Sequence, residues 1–357
     1  MQHPYLTIVL TSRNDDYAGG MLPRLQICID SFLEQAERHH LELELILVDW
    51  NPPSDSPPLK DALTWPKSSC YTTVRVIDVP QELHQQLPLA NKLPFLAHAA
   101  RNVGIRRAKG KFVLVTATDI LFSEQLIVYL ASKPLQEDKN YRVSRHDVPD
   151  EVIEIATLED RLNFCENNVG RIYGRPEQGV YGFPLLHTFA CGDFVLLSKR
   201  NYFKLNGIPE ERQYHSFHFD TVFCYMMYAS EIQEVILNDP HRIYHMDHES
   251  NSIPSTFWLQ PKIQGLSFLS KRRRNQLSWL VGKLTGQTNS LDRLGVPYIT
   301  KYGSRTLKRT LANLVQKKAP IAYNDESWGL GRHILPEATV VRPQWKEPLM
   351  LQSENGV

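Results

Sequence analysis

Ala100-Arg101-Asn102-Val103-Gly104-Ile105-Arg106-Arg107-Ala108-Lys109-Gly110-Lys111 runs directly into Phe112-Val113-Leu114-Val115-Thr116-Ala117-Thr118-Asp119. The first half has the make-up of a polar, basic helix. Gly110 is the residue type that ends one, being free to take a positive φ. Phe112 to Val115 is a short apolar run of the kind buried in the middle of a parallel sheet. Asp119 then follows among small side chains. Open α/β sheets bind ligands just outside the carboxyl ends of their strands. A carboxylate there, after a helix bearing Arg101 and Asn102, suits a metal ion holding a phosphorylated ligand. The competing reading makes Asp119 the cap of a helix beginning near Ser123.

The alternation continues on both sides. Leu6 to Leu10 reads as a buried strand, Thr11 to Asp16 as a polar loop, and Leu22 to His39 as a helix with Leu22, Leu25, Ile29 and Leu33 on one face. Leu43 to Val48 is a second strand, ended by Asp49-Trp50-Asn51-Pro52-Pro53, and the prolines through Pro58 forbid regular structure. Val74 to Val79 is a third strand, Asn91 to Ala108 the helix already described, and Phe112 to Val115 a fourth strand. This cadence predicts a doubly wound α/β sheet. Beyond a helix over Ser123 to Ala131, Tyr141 to Asp147 reads as a strand with charges at alternate positions. Asn167 to Phe183, rich in Gly and Asn, reads as a long lid or binding loop. A strand over Phe194 to Leu197, a helix over Phe219 to Ser230, a strand over Glu234 to Leu237 and the segment Arg242 to His248 complete this half. After Pro261 the chain turns basic and helix-prone (Lys271 to Arg274, Leu307 to Lys318), and from Pro336 it reads as an extended arm.

The chain of 357 residues allows one large domain with appendages, or two domains. Hydrophobic content of 42% and charged content of 22% are those of an ordinary globular protein. A net charge of +1 gives no global field toward nucleic acid or an acidic membrane. Lys271 to Arg274 reads as a solvated helix face in preference to a lipid contact. The five cysteines are scattered and never form a C-x-x-C pair, which speaks against a disulfide framework or zinc knuckle and for a reducing compartment. No basic leader precedes the first strand, and no apolar run approaches the ~20 residues of a spanning helix. The expectation is a soluble cytoplasmic protein.

The order N-x-G-x-x-x-A-x-G, apolar strand, short acidic motif resembles the nucleotide-sugar-binding half of GT-A glycosyltransferases, especially family 2. The resemblance covers residues 5 to about 250 and the tail only thinly. It implies an α/β GT-A fold, with a Rossmann-like, mainly parallel central sheet, flanking helices and a helical C-terminal extension. The division implied is 1–260 for the GT-A domain (1–135 nucleotide-binding, 136–260 acceptor and metal) and 261–357 for the extension and tail. It also implies sugar transfer of the kind used in polysaccharide biosynthesis, from a UDP- or GDP-sugar to a hydroxyl of a glycan, glycolipid or other acceptor.

Such a transfer needs a cation at the departing pyrophosphate and a base at the acceptor hydroxyl. For the nucleotide, Thr11, Arg13, Asp15 and Asp49 follow the first two strands where GT-A enzymes hold base and ribose, and Arg101 matches a basic residue near the donor. The family's D-x-D motif is reduced here to Ala117-Thr118-Asp119, so Asp119 needs help in holding Mn²⁺ or Mg²⁺. His-Met-Asp-His resembles the C-terminal histidine that returns to the metal, which puts forward His245 and His248, with Asp247 beside them. Strand alternation places His245 and Asp247 on one side and His248 nearer the other. Leu205 to Glu211 resembles the G-G-[FY]-x-E loop, and Asp220 then stands where family 2 carries its inverting base. Asp193 is the second candidate for the base and a substrate contact. Arg142, Arg145 and Asp147, with His146, read as a sugar-recognition edge.

Two rivals differ in class. A nucleotidyltransferase would carry a Gly-rich, basic loop after the first strand, and Thr11 to Asp16 has none. A catalytically silent nucleotide-sugar-binding or scaffold protein is compatible with the reduced D-x-D motif. Nucleic-acid binding fails on net charge.

Overall fold

A computed structural model describes residues 4–16, 19–210, 218–248, 303–318 and 321–343, with 266, 268, 273 and 277 besides. Four strands with nearly unbroken apolar burial make its centre: β1 (Leu6–Ser12), β2 (Leu43–Trp50), β3 (Thr72–Val79) and β4 (Phe112–Thr116). They run parallel in the order β3-β2-β1-β4, as strands covered on both faces do. On one face, Leu6, Ile8, Leu10, Leu45 and Leu114 pack against α1 (Met21–His39) and, toward the far edge, α5 (Glu124–Ala131). On the other, Val9, Val48, Val113 and Val115 meet α4 (Ala97–Arg107), after the short helices α2 (Leu59–Ala62) and α3 (Gln81–His84). This is the mixed, mainly parallel sheet with helices on both faces that the GT-A resemblance implies.

The opening stretch differs in two details from its reading. The helix starts at Ala97, not Asn91, because Pro94 removes a donor and biases its neighbour out of the helical region. It ends at Arg107, and Gly110 does not close it with a positive φ. Glycine is needed there because a Cβ would lie 2.6 Å from the Thr7 backbone nitrogen of β1.

The sheet continues from β4 through β8 (Phe194–Ser198, antiparallel), β6 (Lys139–Val148) and β9 (Gln233–Met246) to β5 (Ile120–Phe122). The two segments read at Glu234 and Arg242 are one strand, β9. Its register on β6 jumps from Val143–Leu237 to Ser144–Arg242, leaving 238–241 unpaired. Beyond that jump, β5, β9, β6 and the short β7 (Arg171–Tyr173) form a second, smaller patch of sheet. Leu121, Tyr244 and Met246 on one side of it pack on α6 (Leu158–Asn167). β5, β7, α6 and α7 (Lys199–Lys204) have no counterpart in the sequence reading.

Helix α8 (Phe219–Ala229) lies under the sheet with α9 (Gly303–Val315), whose Leu307, Leu311 and Leu314 are buried. The arm after Pro336 becomes β10 (Glu337–Val341), an antiparallel edge strand on β3. Trp328, 2% exposed, anchors the approach to it against Arg106 and Phe203. Of Lys271 to Arg274, all but Arg273 lie outside the described residues, as does Glu211. Among the described residues no helix is long and apolar enough to cross a membrane.

Candidate active site

Asp119 sits in the turn between β4 and β5, at the carboxyl end of the parallel strands. It caps no helix: Ser123 caps α5, accepting the Leu126 N–H. Met246 donates its N–H to the Asp119 carbonyl, which brings the end of β9 alongside. His245 Nε2 lies 3.6 Å and His248 Nε2 3.1 Å from Asp119 Oδ2. The alternation expected for these histidines stops at Met246, where the strand ends, so the chain turns and both imidazoles reach one carboxylate. Asp247 stands apart and exposed, its Oδ1 accepting the His248 N–H.

One ligand atom from each of Asp119, His245 and His248 can be chosen so that all lie within 4.8 Å of one another. Asp119 Oδ1 is buried with no hydrogen-bond partner among the described residues. Burial opposes ionisation of Asp119, but the two histidines outweigh it and hold the carboxyl well below the usual carboxylate range. Burial lowers the His245 pKa, and Asp119 with Asp147 more than reverses this, to about 9. In the free protein, then, protonated imidazole supplies the positive charge that the carboxylates call for.

The cluster extends along β6. His245 Nδ1 is 3.4 Å from Asp147 Oδ1, Asp147 pairs with Arg145 Nε at 3.0 Å, and Arg145 Nη1 reaches Asp193 Oδ2 at 2.7 Å. The Asp193 carbonyl accepts from Thr116 Oγ1 at 2.7 Å, tying it to the end of β4. Burial raises the Asp193 pKa against the pull of Arg145. Asp119, Asp147, Arg145, Asp193, His245 and His248 therefore form one connected group.

Arg142 does not belong to it. Three residues before Arg145, it faces the opposite side of β6, is 1% exposed, and donates to the carbonyls of Cys191 and Phe194. It shapes the Cys191–Asp193 turn from beneath and offers no recognition edge to a sugar. Asn102 is likewise withdrawn from any ligand, bonding the Ile208 carbonyl (2.7 Å), the Ile208 N–H (2.9 Å) and Glu210 Oε1 (2.9 Å).

Asp220 lies in the first turn of α8, where a carboxylate is favoured by the helix dipole. Its Oδ1 is 3.2 Å from Arg101 Nη1 and 3.4 Å from His98 Nε2. Burial works to raise its pKa, and Arg101 with His98 overrides this, bringing it to about 2. A Cβ on Gly192 would stand 2.4 Å from Asp220 Oδ2, so glycine lets the Asp193 turn pass directly over this carboxylate. His98 was not among the sequence candidates; its one signal is the spacing to Arg101, a helical turn later.

At the ends of β1 and β2, Arg13 donates from Nε to the Asn51 carbonyl (2.7 Å) and pairs with Asp15 (2.7 Å). Thr11 is part-buried on β1. Asp49 is fully buried, with Oδ2 accepting the Leu59 N–H at 2.8 Å and Oδ1 without a partner among the described residues. Burial raises its pKa to about 6, partly opposed by that N–H. These residues lie on the same edge of the sheet as Asp119, because β1 and β4 are parallel.

No family model matches the sequence, and no curated protein does. Among solved structures, the chain is similar to Staphylococcus aureus TarS 1-349 in complex with UDP-GlcNAc, at 12% identity and a TM-score of 0.44, over 91% of this chain and 92% of that one. It is similar to the catalytic domain of Drosophila beta1,4-galactosyltransferase 7 in complex with xylobiose at 10% identity and a TM-score of 0.33, over 65% and 63%. Against a longer S. aureus TarS chain, the values are 13% and 0.41, over 77% of this chain; the chain spans 42% of that one's length. At these values the likeness is one of general outline and says nothing of single residues.

Proposed function

We propose that the chain is an inverting glycosyltransferase related to family 2, moving a sugar from a UDP- or GDP-sugar to an acceptor hydroxyl on a glycan or glycolipid. The observation that carries this reading is the meeting of His245 and His248 on Asp119 at the carboxyl end of β4, with Asp193 and Asp220 on either side of Gly192. Asp119, His245 and His248 would hold a divalent ion. One carboxylate with two imidazoles suits Mn²⁺, and the unpartnered Asp119 Oδ1 is a ready ligand atom. When bound, such an ion supplies positive charge to the departing diphosphate.

The chain's own residues account for the rest. Thr11, Arg13 and Asp15 offer polar groups for base and ribose, Asp49, fully buried, fixes the Leu59 backbone beside them, and Arg101 adds a fixed charge near the donor. Arg145 and Asp147 hold Asp193, which would meet sugar hydroxyls. Asp220, kept ionised by Arg101 and His98, would accept the acceptor's proton at Oδ2 while the new C–O bond forms, when that hydroxyl is most acidic. A base of low pKa works late in the displacement, once charge has developed on the attacking oxygen.

The test is turnover with UDP- and GDP-sugars against an acceptor panel, with and without Mn²⁺. Asp119→Ala should weaken nucleotide binding in Mn²⁺ at least tenfold, and Asp220→Asn should lower kcat by 10²-fold or more with binding retained. Unchanged turnover in either variant removes that role. Nucleotide binding with no transfer or hydrolysis across the panel favours the silent binding protein.

A further inference from the structure

Pairing in the small patch of sheet fixes which residues share its open face. His245 pairs with Asp147, and Asp147 with Arg171. Paired residues point to the same side. The next row on that side is Ile243, Arg145 and Tyr173. Arg171 therefore stands two strands from His245 on the face of the candidate site, about 10 Å away by ordinary strand spacing.

Arg145 is committed to Asp193 and Asp147. Arg171 is exposed and makes no ion pair among the described residues. Its guanidinium lies 4.2 Å from the centre of the Tyr173 ring, which also has the Arg145 guanidinium at 4.4 Å. Contact with an aromatic ring restrains an arginine while leaving N–H donors for a planar or tetrahedral anion. The cation is thus held in place with no carboxylate at ion-pair distance among the described residues, its cross-strand neighbour Asp147 being turned to Arg145 and His245. Asp119, Asp147 and Asp193 nearby, in contrast, all have basic partners.

We propose that Arg171, braced by Tyr173, binds a phosphate or carboxylate group of the acceptor, so that the sugar is passed to an anionic chain. This rests on the glycosyltransferase reading above. The donor's diphosphate belongs at Asp119, His245 and His248, and Asp147 stands between that position and Arg171. The nucleotide belongs further off, at the ends of β1 and β2. What reaches Arg171 is therefore the second substrate.

The experiment is calorimetric titration, with UDP and Mn²⁺ present, of methyl glucuronide, glycerol 3-phosphate and the neutral methyl glucoside. Wild type should bind one of the two anionic probes roughly tenfold or more tightly than the glucoside, and which one it prefers separates carboxylate from phosphate recognition. Arg171→Gln should abolish that preference and leave UDP affinity unchanged. Equal binding of all three probes by wild type overturns the proposal. So does a preference that survives Arg171→Gln, or an Arg171→Gln variant that loses UDP affinity instead. Should that variant fold poorly, a wild-type preference that persists undiminished at about 1 M salt also overturns it. A wild type that binds no UDP overturns the glycosyltransferase reading, and this inference with it.

Discussion

Asp220 shows how little of a residue's chemistry is its own. Its burial alone would make it a poor anion, and Arg101 and His98 reverse the sign. Replacing Arg101 with Met removes the larger of the two opposing charges, so the Asp220 pKa should rise from about 2. The acid limb of kcat/KM should move up with it, which a pH profile reads directly. His187 is the opposite case. It is fully buried, neither ring nitrogen has a hydrogen-bond partner among the described residues, and burial with Arg142 lowers its pKa to about 4. From pH 6.5 down to about 4 the unfolded chain binds a proton that the native state refuses. Native stability should fall over that window by on the order of 1 kcal/mol per pH unit, and His187→Leu should flatten the dependence in urea melts. Asp119, Asp193 and Asp220 were legible in the sequence because each sits at a junction of strand or helix that patterning locates. Arg142 and Arg145 were not separable, since alternation puts them on opposite faces of β6 without saying which face is covered. Arg171 fell within the stretch read as a lid or binding loop and was not singled out, because its pairing with β6 is encoded in no local pattern.

Among the elements, α4 does more than cover the sheet. Asn102, fully buried, clamps both backbone groups of Ile208 and thereby holds the turn after α7 against α4. Asn102→Ala leaves the buried Ile208 N–H without its acceptor, while the Ile208 carbonyl keeps the Asn324 amide; the change should cost about 1–3 kcal/mol in urea unfolding. A loss well under 1 kcal/mol would mean that the turn after α7 holds itself. The long runs (β1, β2, β3, β4, α1, α8) were readable from apolar periodicity. Three-residue strands such as β5 and β7 are too short to show a period, and they exist because β9 and β6 offer edges to pair with. The same limit split β9 in two: residues 238–241 leave the ladder, and the sequence shows the interruption but not the continuity.

At the level of the whole molecule, the tail is part of the sheet's architecture. β10 covers the β3 edge, Arg75 pairs with both Glu44 and Glu337, and Trp328 fills the space between α4 and α7. Trp328→Ala should cost about 3–5 kcal/mol, measured by denaturant midpoint. Composition after Pro336 suggested an arm and gave no hint of this docking, since an edge strand of five residues needs only a free partner edge. The same long-range closure makes the site: β9 returns to the turn after β4 and sets two imidazoles on one carboxylate. The most direct measurement is anomalous diffraction at the manganese edge from a crystal soaked with Mn²⁺ and UDP. The expected result is one strong peak within bonding distance of Asp119, His245 and His248, adjoining the UDP phosphates. A peak elsewhere, or UDP bound with no ion at Asp119, would contradict the account.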